Sequence, residues 1–185
     1  MRTLAITQNI TVDGAVDMLD DWFDPQAQTD LDNDRLLDEL HRQQDAADAL
    51  LLGRQTFEDF RSFWPKQLDD ATGVTDYLNR VNKYVVSSTM TDPRWQNSTV
   101  LSGDLVEQVL ALKQQAGQDI VVTGSISLCH PLIAAGVVDE FRLFVYPVVQ
   151  GRGRRLFPDG HVSGLRLLEG RVFDSGIAFT RYAPV

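Results

Sequence analysis

Short apolar segments that stop at glycine or serine recur along this chain, and helical patterns alternate with them. Residues 47–53 read ADALLLG, residues 82–88 read NKYVVSS and residues 119–125 read DIVVTGS. Strands that are apolar on both faces are typical of a parallel sheet covered by helices, because both faces must then avoid water. The pattern therefore predicts an α/β fold with a mixed, mostly parallel central sheet flanked by helices.

Helical periodicity accounts for much of the sequence between the strands. We expect a first strand over residues 3–13, then an acidic loop, and a helix over the leucines that lead to residues 47–53. The segments GDLVEQVLALKQQAG and SLCHPLIAAG have helical spacing and end at Gly117 and Gly136, as helices often do. Residues 98–103 read STVLSG and predict one more strand.

The C-terminal part of the chain has strand patterns without helices between them. We expect strands in DEFRLFVYPVVQG and RVFDSGIAFTRYAPV, connected through RGRRLFPDGHVSGLRLLEG, which predicts an antiparallel C-terminal edge. The segment FRLFVYPVV is apolar on both faces, which indicates pairing with a second subunit and predicts a homodimer. We find no linker or internal repeat and expect residues 1–185 to form a single domain.

Charge and cysteine content exclude several classes of function. The 185 residues carry a formal net charge of −9, and nucleic acids and anionic membranes bind clustered basic residues, so we expect neither as a partner. No segment reaches the roughly 18 apolar residues of a membrane span. The single cysteine, Cys129, cannot form an intramolecular disulfide, and we expect a cytoplasmic protein. This cysteine and the three scattered histidines predict no metal site.

Gly53, Arg54 and Thr56 stand where the apolar strand LLLG becomes a helix. Backbone N–H groups and the positive end of a helix dipole favour an anion at such a junction, and a guanidinium and a hydroxyl would add hydrogen bonds. A phosphate site is one interpretation, and a turn with a solvated arginine and a threonine cap is the other. Because Ser87 and Gly124 end two further strands, the parallel sheet predicts that the three segments meet in one crevice.

Five segments together carry a resemblance to a known family. LLLGRQTFEDF, KYVVSSTM, NSTVLSGDLVEQVLALK, IVVTGSISL and GVVDEFRLFVYPVVQGRGRRLF closely resemble the reductase domain at the C-terminal end of bacterial bifunctional riboflavin-biosynthesis proteins. The chain is particularly similar to stand-alone members of this dihydrofolate reductase-like group, and it shows no deaminase half. The resemblance extends from the first strand to the last. It implies a dihydrofolate reductase-like fold and NADPH as the cofactor, with NADH as the alternative.

The resemblance also implies candidate cofactor-binding residues. Gly53, Arg54 and Thr56 match the Gly-Arg-x-Thr that holds cofactor phosphates, which favours the phosphate interpretation of that junction. Ser87 and Ser88 match the end of the strand beside the adenosine ribose. The glycine-rich turn and the helix N-terminus under the pyrophosphate correspond to Gly124, Ser125, Ile126, Ser127 and Leu128.

Two positions depart from the family pattern. Relatives often carry an arginine at the position of Ser88, where it would pair with a 2′-phosphate. A preference for NADPH over NADH therefore depends mainly on Arg54. Ser125 replaces the second glycine of the turn, a change that we associate with the stand-alone branch and that weakens a folate-reductase assignment.

Fewer residues can be assigned on the substrate side. Folate reductases carry a carboxylate shortly after the first strand, followed by Trp-Phe. The segment LDDWF keeps this pair as Trp22 and Phe23 but has Leu19 at the carboxylate position, which argues against pterin reduction. Asp21 is our candidate proton donor, with a solvated or capping aspartate as the alternative. Trp22, Phe60 and Trp64 are the candidate walls for a small, planar, ring-containing carbonyl or imine substrate.

Three functions are consistent with these residues. The first is an NAD(P)H-dependent reductase that transfers a hydride to a carbonyl or imine. The second is a nucleotide-binding or regulatory protein of reductase fold without turnover, which the displaced carboxylate and Ser88 favour. The third is the reduction of 5-amino-6-(5-phosphoribosylamino)uracil, in which Arg152, Arg154 and Arg155 would hold the substrate phosphate. An ordinary basic surface loop is the alternative interpretation of these arginines.

Overall fold

The computed structural model describes residues 1–20, 22–23 and 34–185, and its centre is a sheet of eight strands. The strands are β1 (Leu4–Thr11), β2 (Ala47–Gly53), β3 (Asn82–Val86), β4 (Ser98–Leu101), β5 (Asp119–Thr123), β6 (Glu140–Tyr146), β7 (Leu165–Val172) and β8 (Ala178–Pro184). Their order is β4-β3-β2-β5-β1-β6-β8-β7. All pairs from β4 to β6 are parallel, and β8 runs antiparallel to β6 and β7. The predicted mostly parallel sheet with an antiparallel C-terminal edge is therefore confirmed.

Helices cover both faces of this sheet. They are α1 (Asp34–Asp45), α2 (Arg54–Phe63), α3 (Val74–Arg80), α4 (Leu105–Gln114) and α5 (Ile126–Ala134), and a 3-10 turn follows α2 at Trp64–Lys66. The connections between parallel strands return the chain to the same edge each time, so the carboxyl ends of β1, β2, β3, β5 and β6 lie along one edge of the sheet. Within the described ranges, none of the helices has the length and apolar character needed to span a bilayer.

The alternating side chains of β1 show which helices cover each face. Ile6 belongs to the apolar cluster beneath α4 and α5. On the same face, Gln8 Nε2 donates to the carbonyl of Gly124 at 2.8 Å, immediately before α5. Thr7 points to the opposite face, where its Oγ1 lies 3.4 Å from Gln43 Oε1 of α1. The two faces of β1 are therefore covered by different helices, as a doubly covered parallel sheet requires.

The face covered by α1 carries two separate apolar clusters. The first packs Phe57 of α2 and Leu78 of α3 against β2 and β3. The second packs Leu36 of α1 against Phe144 of β6 and Phe179 of β8. Strands β5 and β1 lie between the two clusters in the sheet. Three strand spacings, or about 14 Å, therefore separate β2 from β6 on this face.

The C-terminal edge differs from the prediction in one strand. The predicted connection RGRRLFPDGHVSGLRLLEG contains most of β7, which pairs with β8 along its length. A tight turn joins the two strands, with the Gly176 N–H donating to the Phe173 carbonyl at 2.9 Å. Most β7 side chains are exposed or half-exposed at the edge of the sheet. Its sequence therefore lacks the apolar alternation by which a strand is recognised.

The position of β6 bears on the homodimer that was predicted from the apolar segment FRLFVYPVV. It lies inside the sheet, where it pairs with β1 on one side and β8 on the other. Its side chains are also buried within the chain on both faces, with Leu143 in the cluster beneath α4 and α5 and Phe144 in the cluster that contains Leu36. The expectation that this strand pairs with a second subunit was therefore wrong. The homodimer itself stays a prediction.

Lys83 of β3 is a fully buried lysine. Its Nζ donates to the carbonyl oxygens of Leu78 and Val81 at 2.6 and 2.9 Å, where α3 ends. The ammonium also lies 4.7 Å from the centre of the Trp95 ring, within reach of a cation–π interaction. It thus provides partners for carbonyls that a helix end leaves without them. Burial nevertheless disfavours the charged form and lowers the pKa of Lys83 to about 8.

This buried lysine predicts a stability that depends on pH. Between pH 8 and the ordinary lysine value of 10.5, the unfolded chain binds more protons at this residue than the folded chain. The free energy of unfolding therefore rises with pH in this window. Between pH 8 and 10.5, we expect the free energy of unfolding of the wild-type protein to rise by about 3 kcal/mol relative to that of Lys83→Met. Urea unfolding of both proteins at a series of pH values measures this difference. Parallel pH profiles for the two proteins would contradict this.

Candidate functional site

Two helix N-termini meet beside the carboxyl ends of the parallel strands. Helix α2 begins directly after β2, α5 begins shortly after β5, and the two strands are neighbours. Ser125 joins them, because its hydroxyl accepts from the Gly53 N–H at 2.8 Å and donates to Thr56 Oγ1 at 2.8 Å. The Ser125 N–H donates to the same threonine oxygen at 3.1 Å. Gly53, Thr56 and Ser125 thus form one hydrogen-bonded unit.

Neither of these helix starts has a side-chain cap among the described residues. The N-cap of α2 is Gly53, with extended backbone, and the N-cap of α5 is Ser125, in the left-handed region with a φ of +47°. The first N–H groups of both helices lack partners within their own helix, and the positive ends of two helix dipoles lie close together. Two adjacent N-termini of this kind fit the two phosphates of a pyrophosphate.

Gly124 permits this close approach of the two helices. Its φ is +62°, and a Cβ at this position would lie 2.9 Å from Thr56 Cγ2. That separation is well below the 3.5 to 4.0 Å at which carbon atoms pack, roughly speaking. A glycine is therefore needed here both for the backbone conformation and for the space beside Thr56.

The remaining residues of the predicted turn contribute in different ways. Ile126 and Leu128 have buried side chains that belong to the apolar cluster beneath α4 and α5, so only their backbone groups could face a ligand. The Leu128 N–H already donates to the Ser125 carbonyl at 2.7 Å. Ser127 is exposed in the first turn of α5. Of these three residues, Ile126 and Ser127 thus stay candidates for contact with an anion through their N–H groups.

A groove extends from this junction along the ends of β3 and β4. It has a volume of about 480 Å³, and its lining includes Arg54, Ser87, Ser88, Leu101 and Gly103. The Arg54 side chain is about half exposed and lies 3.8 Å from the nearest carboxylate, on α2. The Ser87 hydroxyl accepts the N–H groups two and three residues further along, at 3.2 and 3.0 Å. The structure therefore brings Arg54, Ser87 and Ser88 to one groove beside the helix N-termini.

The three candidate substrate residues lie on opposite sides of the gap between β2 and β6. The Trp22 ring lies 5.1 Å from the Tyr146 ring at the end of β6, and its Nε1–H donates to Gln150 Oε1 at 2.7 Å. Phe60 and Trp64 pack instead against the apolar cluster beneath α2 and α3. The gap is thus bordered by aromatic side chains on both sides.

Polar side chains of β1 and β5 form the floor between these aromatic walls. Thr7, Asn9 and Thr123 are half-buried on this face. No residue that the structure describes forms a hydrogen bond with the Asn9 side chain, which leaves a donor and an acceptor available. Asn9 is not among the residues predicted from the sequence, although its alternation with the apolar positions of β1 is a signal for it. The candidate proton donor Asp21 lies outside the described residues.

Three ion pairs join the segment before Trp22 to the loop after β6. They connect Arg152 with Asp20 at 2.8 Å, Arg154 with Asp17 at 2.6 Å, and Arg155 with Asp13 at 3.4 Å. A threonine hydroxyl, two backbone N–H groups and an arginine hold the pKa of Asp13 well below its usual range. The pKa of Asp17 is lowered by its hydrogen bonds with Arg154. Because all three arginines have carboxylate partners, they are poorly placed to hold a substrate phosphate.

The contact between Gly124 and Thr56 predicts the effect of adding a methyl group. Gly136 is a matched control, because its φ of +65° is similar but a Cβ there would meet nothing within 4 Å. We expect Gly136→Ala to lower the free energy of unfolding by about 1 kcal/mol, and Gly124→Ala to lower it by at least ~1 kcal/mol more, in urea titrations. Thr56→Ser removes the obstructing methyl and keeps the hydroxyl. Added to Gly124→Ala as a second substitution, it should therefore restore most of the additional loss in the free energy of unfolding. Equal losses at the two glycines would contradict the prediction.

Known proteins are similar to this chain in sequence and in fold. Residues 2–179 match the family model of the RibD C-terminal domain. The uncharacterized protein YyaP of Bacillus subtilis (strain 168) is 35% identical over 133 residues, which cover 70% of this chain and 70% of that protein.

Solved structures with 16 to 19% identity have the same fold. A pyrimidine reductase-like protein of Corynebacterium diphtheriae is 16% identical, with 100% of this chain and 92% of that chain covered and a TM-score of 0.68. Dihydrofolate reductase of Enterococcus faecalis, in a complex with NADP(H), is 19% identical over 98% of this chain and 96% of that chain, with a TM-score of 0.62. The deaminase/5-amino-6-(5-phosphoribosylamino)uracil reductase of Thermotoga maritima is 18% identical, and this chain covers 57% of it, with a TM-score of 0.65. The protein therefore has a dihydrofolate reductase-like fold and belongs to the RibD C-terminal domain family.

Proposed function

We propose that this protein is an NADPH-dependent reductase that transfers a hydride to the C=O or C=N bond of a small planar substrate. The observation that carries the proposal is the junction of α2 and α5, where two uncapped helix N-termini are held side by side by Ser125 and Thr56. Membership of the RibD C-terminal domain family supports a reductase, and the likeness to a dihydrofolate reductase in complex with NADP(H) supports the cofactor.

The junction and the groove suit the chemistry of an extended dinucleotide. The N–H groups at the starts of α2 and α5 would hold the pyrophosphate, and Arg54, Ser87 and Ser88 would hold the adenosine half beside β3 and β4. The nicotinamide half would then extend the other way, over β5 and β1, towards Thr7 and Asn9. Reduced nicotinamide supplies the hydride when it is bound, and this chain supplies orientation and the exclusion of water.

The gap between the two aromatic walls suits a flat ring. Trp22 on one side and Phe60 with Trp64 on the other offer apolar surface, while Asn9 on the floor offers an amide. An amide donates and accepts at the same time, so it complements a ring edge that carries a carbonyl or imine beside an N–H. Asp21 stays our candidate for the proton that completes the reduction.

Nucleotide titration tests the cofactor site. We expect NADPH to quench tryptophan fluorescence saturably, and Arg54→Ala to raise its Kd about tenfold or more, because charge-assisted hydrogen bonds contribute about 1.5 to 3 kcal/mol. Arg166→Ala is the matched control, since Arg166 is an exposed arginine on β7 at the far edge of the sheet. If the folded protein bound neither NADPH nor NADH, the proposal would fail.

Turnover separates a reductase from a nucleotide-binding protein of the same fold. We expect oxidation of NADPH, followed by its absorbance, with at least one member of a panel of cyclic carbonyls and imines. With that substrate, Asn9→Ala should lower kcat/KM about tenfold or more, the effect of removing a hydrogen bond to a well-bound group. The Kd of NADPH should change much less than kcat/KM, because the pyrophosphate and the adenosine half would bind at the α2 and α5 junction and in the groove, away from Asn9. Binding of NADPH without oxidation by any substrate of the panel would favour the nucleotide-binding protein.

A further inference from the structure

A second cavity opens beside the groove that is lined by Arg54, Ser87 and Ser88. It has a volume of about 260 Å³ and lies between α2 and the segment that follows β3. Its charged lining residues are Arg54, Glu58, Arg61, Asp92 and Arg94. Because Arg54 and Thr89 line both spaces, this cavity, which we call the arginine cavity, lies directly beside the groove.

The three guanidinium groups of the arginine cavity differ in their partners. Arg54 lies 3.8 Å from Glu58, and Arg94 lies 3.2 Å from Asp92. Arg61 has no carboxylate within ion-pair distance in the part of the chain that the structure describes. The cavity therefore contains one positive charge that no neighbouring side chain balances, which favours an anion there.

Two contacts hold the Arg61 side chain in place. Its Nη1 donates to the carbonyl of Pro93 at 2.6 Å, and its guanidinium lies 5.8 Å from the centre of the Phe57 ring. A guanidinium has five N–H donors, and the other donors of Arg61 bind no acceptor among the described residues. The side chain is also only partly exposed. An ordered, partly desolvated guanidinium with unused donors is well suited to binding a phosphate.

We infer that Arg61 binds the 2′-phosphate that distinguishes NADPH from NADH, with Arg54 contacting the same phosphate from the groove side. The two arginines lie seven positions apart on α2, a spacing that places them on one face of the helix. The arginine cavity and the groove share Arg54 and Thr89. Thr89 directly follows Ser87 and Ser88, where the proposed function places the ribose of adenosine. The inference therefore rests on the proposed function and names the residue that sets its cofactor preference.

This assignment also explains why a serine suffices at position 88. The family position that often carries an arginine is filled here by Ser88, which has no charge to offer a phosphate. Arg61 reaches the adjoining cavity from α2 instead, and its charge is the one left unbalanced there. A phosphate dianion at this place would be bound by charge-assisted hydrogen bonds from the guanidinium group.

Variants of Arg61 test this inference against a purely structural role. Arg61→Met removes the charge and keeps an apolar stem over Phe57, whereas Arg61→Lys keeps a charge and a donor for the Pro93 carbonyl. We expect Arg61→Met to raise the Kd of NADPH about tenfold or more and to leave the Kd of NADH unchanged, with Arg61→Lys intermediate. Arg166→Ala should change neither constant. An equal loss for both nucleotides, or no loss for NADPH, would overturn the inference.

Adenosine 2′,5′-bisphosphate separates a failure of this inference from a failure of the proposed function. It carries the 2′-phosphate without a nicotinamide, and 5′-AMP is its matched control. We expect the wild-type protein to bind the bisphosphate more tightly than 5′-AMP, and Arg61→Met to abolish that difference. This result supports the inference even if NADPH is never oxidised. Equal affinity of the wild-type protein for the two compounds overturns it, and NADPH binding would then leave the proposed function standing.

Discussion

The hydrogen bonds between Ser125, Thr56 and Gly53 hold together the two helix N-termini on which the candidate site depends. The positive ends of two helix dipoles repel each other when they lie close together. The hydroxyl groups of Ser125 and Thr56 offset this repulsion at distances of 2.8 and 3.1 Å, and an anion between the helices would offset the rest. The Ser125 hydroxyl also accepts a hydrogen bond from the Gly53 N–H. A glycine at position 125 has no hydroxyl, so it would leave the Gly53 N–H without this acceptor.

The two arginines that we propose as phosphate ligands lie on one helix of an acidic protein. The chain has a net charge of −9, and the arginines of the RGRR segment are paired with the aspartates that precede Trp22. A buried carboxylate, Glu39, is likewise paired with two arginines. Arg54 and Arg61 on α2 have at most one distant carboxylate partner between them. A negative protein can therefore still present a local positive potential to a phosphorylated ligand.

Strand burial explains which elements could be predicted and which could not. β2 and β5 are buried on both faces and contain the apolar runs ALLL and IVV, so the sequence alone indicates them and the glycines that follow these runs. β7 is an exposed edge strand, and its residues carry no such signal. The apolar faces of β6 suggested a partner subunit because its antiparallel neighbour β8 lies about 35 residues further along the chain. No local pattern shows that this neighbour covers it.

The sequence by itself determined the α/β class, the crevice at the carboxyl ends of the strands and the Gly-Arg-x-Thr segment at its edge. These depend on local hydrophobic periodicity and on turn chemistry, which a short window of residues contains. Only the tertiary structure decided that Ser125 binds a glycine 72 residues away and a threonine 69 residues away. It alone brought Asn9 to the floor of the gap and Arg61 to a cavity beside Arg54. Such contacts depend on the parallel register of β2 on β5 and on the packing of α2, and no local stretch of sequence encodes either.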